Sequence, residues 1–519
     1  MAVSDDIFLL VKSMARAERA YSKRYLKMHA AGKESSMLSL FEALEKYAGK
    51  TGIYDEDALK KDLDKKLTRH LPVIKNNLYN ILLRSLQEFA SGRTPEEKVK
   101  RLIEQYDTLY SKALFKQCGA VLRKAITLAE ENEVLSYQHI LLAKKSVLAR
   151  YTEDVERYNM TIAEIYKEQN LVLAKIKNTI DLANLSDRYT SLLQKNPTGF
   201  ARDSEAMSEM QKFMEHPLLS DESKILTKTA LANFYTFRCL FCQNAKDFEG
   251  ALAASKKRLE ITEERFLKDR SRLGPYIVTL YSVLVYSIRT RRLGDYDDAY
   301  RKLKNLTIRF PGMSEQSRMQ VFYYSAIPEL SLCNETLDIQ RGDSSLREII
   351  RDYEKLESKI PAQQKIILFF FLGAFNFVKG DYDESSKWLG RLINMPNVDL
   401  SQDYQCYARI MYLLVHYELG RVDSIEHVLK STYHFLYRRN KVYKYEKIIL
   451  EYMRKSFRVN SGEELMEMFV FMRRDLQEIE NDEFEQNAFD AFNLLPWLDS
   501  KIENIPYIEA ARRRGGEAH

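Results

Sequence analysis

Gly294-Asp295-Tyr296-Asp297-Asp298-Ala299 and Gly380-Asp381-Tyr382-Asp383-Glu384-Ser385 are near-copies of one phrase. Weaker echoes stand at Lys246-Asp247-Phe248-Glu249-Gly250-Ala251, Gly342-Asp343-Ser344 and Gly420-Arg421-Val422, so consecutive members lie 48, 48, 38 and 40 residues apart. Apolar stretches of helical period flank each one. Leu280, Leu284 and Ile288 precede Gly294, and Tyr296, Ala299, Leu303 and Leu306 follow it, with Phe310-Pro311-Gly312 as a stop. Phe369, Leu372 and Gly373 precede Gly380, and Tyr382, Ser385, Leu389 and Leu392 follow, closed by Pro396. Phe115, Cys118, Leu122 and Ala125 show the second-helix spacing much earlier. Steps of three and four place such residues on one helical face. Self-similarity at this period predicts stacked helical hairpins. The glycine heading each phrase is expected to make the tight turn, and the small residue three places after the aromatic to let the helices approach.

Hydrophobic residues make up 45% and charged residues 30% of the 519-residue chain, which predicts a folded protein. A repeat array can grow to this length because each unit packs only on its neighbours. Gly (18) and Pro (11) are scarce, as long helices with short connections require. The start, Met1-Ala2-Val3-Ser4-Asp5-Asp6, lacks the basic and apolar regions of a secretory signal. The longest apolar run, Ile366 to Phe375, is shorter than the roughly 20 residues a bilayer requires. Five scattered cysteines suit a reducing compartment. These features predict a cytoplasmic protein with no membrane span.

Four segments are expected: a basic helical segment at 1–93, helical repeats at 94–459, capping helices at 460–511 and a disordered tail at 512–519. The net charge of +6 is concentrated early, with 20 Lys/Arg against 12 Asp/Glu in residues 11–101. The opening helix is expected to carry an apolar stripe of Leu10, Met14, Ala17, Tyr21, Tyr25 and Met28. A basic stripe of Lys12, Arg16, Arg19, Lys23 and Lys27 runs beside it. A second basic stretch holds Arg438, Arg439, Lys441 and Lys444, interleaved with Tyr437, Tyr443 and Tyr445 and continuing to Arg458. Cations with aromatic rings are the equipment of a nucleic-acid surface. The competing reading makes the rings core and the cations a solvated face. Thr94-Pro95-Glu96-Glu97 reads as a capped helix start.

Catalytic, cofactor-binding and metal-binding residues are not expected. Cys239-Leu240-Phe241-Cys242 has no second pair or nearby histidines to complete a metal site. It reads as two packed thiols one helical turn apart. His416, His427 and His434 fall within one repeat but lack ligand spacing, and no phosphate-loop, dinucleotide or nucleophile-elbow motif occurs.

The phrases at Gly294 and Gly380 resemble the tetratricopeptide repeat, with its Gly, aromatic, small-residue and closing-Pro pattern. The periods exceed that family's 34 residues, so the array is expected to be irregular. Lys12 to Tyr21, Tyr79 to Leu86 and Asn487 to Ile502 together resemble a bacterial cytoplasmic group of tetratricopeptide-like proteins, which has no assigned activity. The resemblance implies an all-α fold, a right-handed superhelical array of antiparallel helix pairs (an α-solenoid) behind an N-terminal helical segment. It implies a non-catalytic scaffold that binds a peptide or protein segment in its concave groove, with Asn233, Asn376 and Arg409 facing that groove. The alternative expectation is a regulatory factor that meets nucleic acid, the ribosome or the transcription machinery through its basic surfaces.

Overall fold

The computed structural model describes residues 6–29, 34–50, 54–64, 68–90, 94–195, 208, 212–213, 215–395, 402–437, 443–456, 459, 461–482 and 485–517. All regular structure among them is helical. The chain divides into two compact units, Met1–Leu173 and Ala174–His519.

In the first unit α1 (Asp6–Ser13), α2 (Arg16–His29), α3 (Glu34–Lys50), α4 (Glu56–Lys61) and α5 (Leu71–Ala90) enclose one core, with Ile7, Phe8, Val11, Leu26, Phe41, Leu44, Leu78 and Leu82 inside. The expected single opening helix is broken. Ser13 donates to the Leu10 carbonyl and the Ala15 N–H to Glu18, at 2.7 Å each, so α1 stops and α2 begins within two residues. That break resets the helical phase, and the buried face becomes Ile7, Phe8, Val11, Met14, Ser22 and Leu26, while Met28 is 72% exposed. Next come α6 (Pro95–Ser111), α7 (Phe115–Glu131) and α8 (Leu135–Thr152), packed around Val99, Tyr106, Cys118, Leu122 and Leu141. Thr94 caps α6 as its sequence predicts, accepting from the Glu97 N–H at 3.2 Å. The boundary between the units falls within α9 (Val155–Lys195).

The second unit, after the short α10 (Pro217–Ser220), is a run of hairpins. They pair α11 (Lys228–Asn244) with α12 (Phe248–Lys268), α13 (Leu273–Arg289) with α14 (Leu293–Arg309), and α15 (Glu315–Thr336) with α16 (Ile339–Leu356). Two more pair α17 (Ala362–Val378) with α18 (Tyr382–Ile393) and α19 (Gln402–Glu418) with α20 (Val422–Tyr437). Each first helix packs on its own second helix, and from α13 to α19 also on the next first helix. The Ile366–Phe375 run lies inside α17, and most of it is core. Among the described residues no helix is long and apolar enough to cross a membrane.

One turn is used throughout. The N–H groups of Asp247, Arg292, Asp338, Asp381 and Arg421 reach back to the carbonyls of Cys242, Ser287, Cys333, Asn376 and His416 at 2.8–3.2 Å. Each bond closes a Schellman motif whose preceding residue is left-handed: Lys246 (φ 59°), Arg291 (55°), Leu337 (54°), Gly380 (83°) and Gly420 (63°). The same turn joins α6 to α7 at Ala113 and α7 to α8 at Glu133. The two quoted phrases are therefore three residues out of register. Gly380 makes its turn, whereas Gly294 lies inside α14 and Arg291 makes the turn before it. Gly342 similarly falls within α16, behind the turn residue Leu337. A left-handed non-glycine residue costs only about 1–2 kcal/mol, which the helices docked on either side can hold, so glycine is dispensable there.

Gly342 has a different reason to be small. A Cβ on it would meet Phe375 of α17 at 2.1 Å. The register makes opposite predictions for two glycines. Gly294→Ala, with nothing within 4 Å of its new Cβ, should stabilise by about 0.5 kcal/mol because alanine loses less chain entropy in a helix. Gly380→Ala should destabilise by about 1 kcal/mol or more, since alanine resists positive φ. Urea midpoints of both variants that move in the same direction would contradict this assignment.

The chain ends in α21 (Lys444–Ser456), α22 (Gly462–Glu478), α23 (Gln486–Ala491), α24 (Leu495–Ile502) and α25 (Tyr507–Glu517). Residues 512–517 are thus helical where a disordered tail is expected from sequence. Arg513 binds Glu503 at 2.7 Å and Arg514 binds Asp499, which holds this last helix against α24.

Candidate binding surface of the hairpin array

The first helices α13, α15, α17 and α19 bring together Tyr281, Tyr323, Tyr324, Phe370, Phe371 and Tyr404. Ring centroids lie 4.7 Å apart for Tyr281 and Tyr324, and 5.4 Å for Tyr323 and Tyr324. Phe370 lies 5.2 Å from Tyr404, and Phe371 6.2 Å. Tyr281, Tyr324, Phe371 and Tyr404 are half-buried. Burial is nevertheless the largest influence on Tyr281, Tyr323 and Tyr324, and raises each hydroxyl above its usual range. Tyr404 is close enough to act electrostatically on both Tyr281 and Tyr323, which joins the two groups of rings. The remaining influences on the Tyr281 and Tyr323 hydroxyls come from other tyrosines.

Of the residues expected to face a groove, Asn376 is 1% exposed and its Nδ2 donates to the Leu372 carbonyl at 2.8 Å, which leaves it no surface to offer. Arg409 lies with its guanidinium 4.0 Å from the Phe435 ring centre and donates to the Ile393 carbonyl at 3.4 Å, so it spans three consecutive helices. Asn233 is half-buried on α11. Sequence reading missed the aromatic cluster because its members look like core. The available signal was the adjacent pairs Tyr323-Tyr324 and Phe370-Phe371. In each pair the first ring joins the core and the second, Tyr324 or Phe371, is only half-buried.

The basic stripe is partly neutralised at home. Lys23 binds Glu45 at 2.8 Å and Glu42 at 3.7 Å, and the bond to Glu45 is the main cause of its raised pKa. Arg19 donates to the Lys12 carbonyl at 3.3 Å, while Arg16 and Lys27 are exposed. In the second stretch Lys444 binds Asp482 at 2.6 Å, Tyr445 is fully buried and Tyr452 donates to Asp475 at 2.6 Å. Tyr437 is exposed and stacks on Tyr433 at 5.6 Å. Arg438, Arg439 and Lys441 lie outside the described residues.

Cys239 and Cys242 are buried in α11, and burial pushes the Cys239 thiol up to about 12 and that of Cys242 upward as well. Both are therefore protonated packing groups, poor nucleophiles and poor metal ligands. Among the described residues no three His, Cys, Asp or Glu side chains gather as a metal site. His427 and His434 are exposed on α20. His416 is 6% exposed, lies edgewise on Tyr412 at 4.4 Å and, among the described residues, has no hydrogen-bond partner at either ring nitrogen.

Burial first, and Arg421 second, lower the pKa of His416. A histidine whose folded pKa is depressed contributes no penalty above its unfolded value of about 6.5, and destabilises as pH falls through that value. Stability of the wild type should decline below about pH 6.5 more steeply than that of His416→Phe, which keeps a ring on Tyr412. Identical pH profiles in chemical denaturation would refute this assignment.

A further set of contacts ties the end of the chain to the hairpin turns. Gln486 accepts from Lys246, Asp490 pairs with Arg289 at 3.0 Å, and Phe492 and Tyr507 lie 5.4 and 5.5 Å from Phe377. Trp497 Nε1 donates to Glu418 at 2.6 Å, and Lys501 pairs with the same carboxylate at 2.6 Å. Lys246 lies in the turn between α11 and α12, and Arg289, Phe377 and Glu418 stand at the C-terminal ends of α13, α17 and α19. Residues 486–507 therefore cross the turn edge of the array, away from the mid-helix level of Tyr281, which lies eight residues or about 12 Å along α13 from Arg289. No protein-family model and no curated protein matches this sequence significantly.

Proposed function

We propose that the protein is a non-catalytic, cytoplasmic scaffold of the tetratricopeptide-like kind, a right-handed superhelical array that binds a peptide or protein segment in its concave groove. The observation that carries this reading is the aromatic cluster shared by four consecutive first helices, where Tyr281, Tyr324, Phe371 and Tyr404 are half-buried. Half-buried rings supply large contact area at low conformational cost, which is why they anchor interfaces. Nothing in that surface supplies a nucleophile with its base, so binding without chemistry is the economical reading.

The test is affinity capture from native lysate at about 100 mM and about 500 mM salt, a range over which phosphate contacts lose orders of magnitude in affinity. It is run with and without nuclease, using the wild type and a Tyr281→Ala/Tyr324→Ala variant. A protein partner that persists at both salts and is lost in the variant supports the scaffold. Recovery of RNA or DNA that disappears at high salt, unaffected by the tyrosine changes, would replace it with a nucleic-acid role for Lys12, Arg16 and Lys27.

A further inference from the structure

We propose that the chain forms a homodimer through α9, two copies of which pack antiparallel as a short coiled coil over residues 155–173. The contact uses only residues of the first unit, and it stands whether or not the hairpin array binds a segment.

The motivating observation is an exposed heptad stripe. Val155, Asn159, Ile162, Tyr166, Gln169 and Leu173 follow one another at steps of four and three. That seven-residue repeat is the one with which a helix tracks a second helix. The chain leaves most of it uncovered: Val155 is 78%, Tyr166 62% and Leu173 48% exposed, and Ile162 is half-buried. Large apolar side chains left in such a row mark an association surface.

The helix meets its own unit along a different line. Tyr158, Ile165 and Val172 stand seven apart on the adjoining flank, and Ile165 and Val172 are buried. There α8 reaches α9, with Arg150 donating to the Tyr158 hydroxyl at 3.3 Å and Lys145 pairing with Glu168 at 3.9 Å. On the opposite flank Glu156, Ala163, Lys167 and Asn170 are all exposed, so the stripe is open to a partner along its length.

The residues of the stripe specify a second copy as its occupant. A two-fold contact must be self-complementary, and no residue of the stripe is charged, so an identical helix brings no like charge into the seam. Reversed about residue 164, the stripe matches itself: Val155 meets Leu173, Asn159 meets Gln169 and Ile162 meets Tyr166, each twice. Apolar thus packs on apolar, and the two side-chain amides, which both donate and accept, satisfy one another. Charge selects the antiparallel direction. Reversal brings Glu156 of each copy within about one helical turn of Lys167 of the other, whereas a parallel pair in register keeps them about 16 Å apart along the axis. Residues 155–173 measure about 27 Å along the helix. That is at the small end of specific interfaces, so the dimer is expected to be reversible.

The experiment is sedimentation velocity of the full chain from about 5 to about 300 μM, a range that brackets micromolar dissociation constants. The wild type is expected to shift reversibly from monomer to dimer. Tyr166→Glu/Leu173→Glu places charge in the seam and should leave the chain monomeric throughout, with unchanged far-ultraviolet circular dichroism because both positions are exposed. Glu156→Lys and Lys167→Glu should each weaken the dimer about threefold, and the double exchange Glu156→Lys/Lys167→Glu should restore it. A dimer that persists in the seam variant overturns the proposal, because the contact would lie elsewhere. A double exchange no tighter than the single ones overturns the antiparallel arrangement. A wild type that stays monomeric at the highest concentration overturns self-association, and capture of a lysate protein that the seam variant loses would then assign the stripe to a foreign helix.

Discussion

Trp497→Ala is expected to lower the unfolding free energy of the second unit by about 4–5 kcal/mol, the range for emptying a large aromatic site in a core. The ring is fully buried, and it meets Tyr417 and Phe469 edge to face at 5.5 Å each. Edge-to-face pairs add roughly 0.5–1.5 kcal/mol beyond the area they bury. Its Nε1 also donates to Glu418, and hydrogen bonds to a charged group contribute about 1.5–3 kcal/mol. Alanine leaves that carboxylate with Lys501 alone. Trp497→Phe separates the two contributions, since it keeps a ring in the site and loses the donor; about 2 kcal/mol is expected for it. The chain has only two tryptophans, and the other, Trp388, belongs to the same core, so its fluorescence can follow denaturation of the variant. A loss below about 1 kcal/mol for Trp497→Ala would show that residues 486–507 are a surface appendage.

The hairpins were legible because their cause is local. Leu280, Leu284 and Ile288, or Leu303 and Leu306, lie one helical turn apart whatever surrounds them, and all of them are core. Turn register was not legible, because Arg291 and Leu337 adopt a left-handed backbone that their own side chains do not favour. The packed helices on either side impose it, and the conspicuous Gly294 sits where glycine is not required. The opening segment failed for a related reason, since two residues between Ser13 and Arg16 shift the phase of everything after them.

The candidate surface was hidden by residue type. Tyr296 is fully buried although Asp295, Asp297 and Asp298 surround it, whereas Tyr324 is only half-buried although it follows Val321, Phe322 and Tyr323. Local composition thus pointed the wrong way for both. The return of Phe492, Trp497 and Tyr507 to the turns depends on partners 79 to 130 positions away in sequence, from Trp497 with Glu418 to Tyr507 with Phe377, which no local pattern encodes.

Glu329→Ala should be among the more damaging single changes in the chain, at about 2–3 kcal/mol, because it removes the acceptor shared by Arg341, Ser345 and Tyr296 and leaves the buried Tyr296 hydroxyl unpaired. Glu329 is 3% exposed on α15. It accepts from Arg341 through two nitrogens at 2.8 and 2.9 Å, from Ser345 at 2.9 Å and from Tyr296 at 2.9 Å. One carboxylate therefore joins α14, α15 and α16. The arrangement has a packing origin. Five residues after the turn, α12, α16 and α18 carry the small Ala251, Gly342 and Ser385, whereas α14 carries Tyr296, whose hydroxyl is thereby driven into the interior. A buried hydroxyl needs a partner, and Glu329 supplies it. The carboxylate then needs a cation, and Arg341 supplies that. Removing Arg341 alone, as Arg341→Met, should also destabilise by about 3 kcal/mol, since Glu329 would stay buried without its counter-charge. Glu329→Met/Arg341→Met removes both charges and should cost far less than the sum of the single changes, because buried pairs often tolerate apolar replacement. A coupling energy of at least about 2 kcal/mol in urea denaturation is expected from this cycle. Additive costs would mean that the two side chains contribute separately to packing, and that the buried tyrosine of α14 does not depend on the charge pair beneath it.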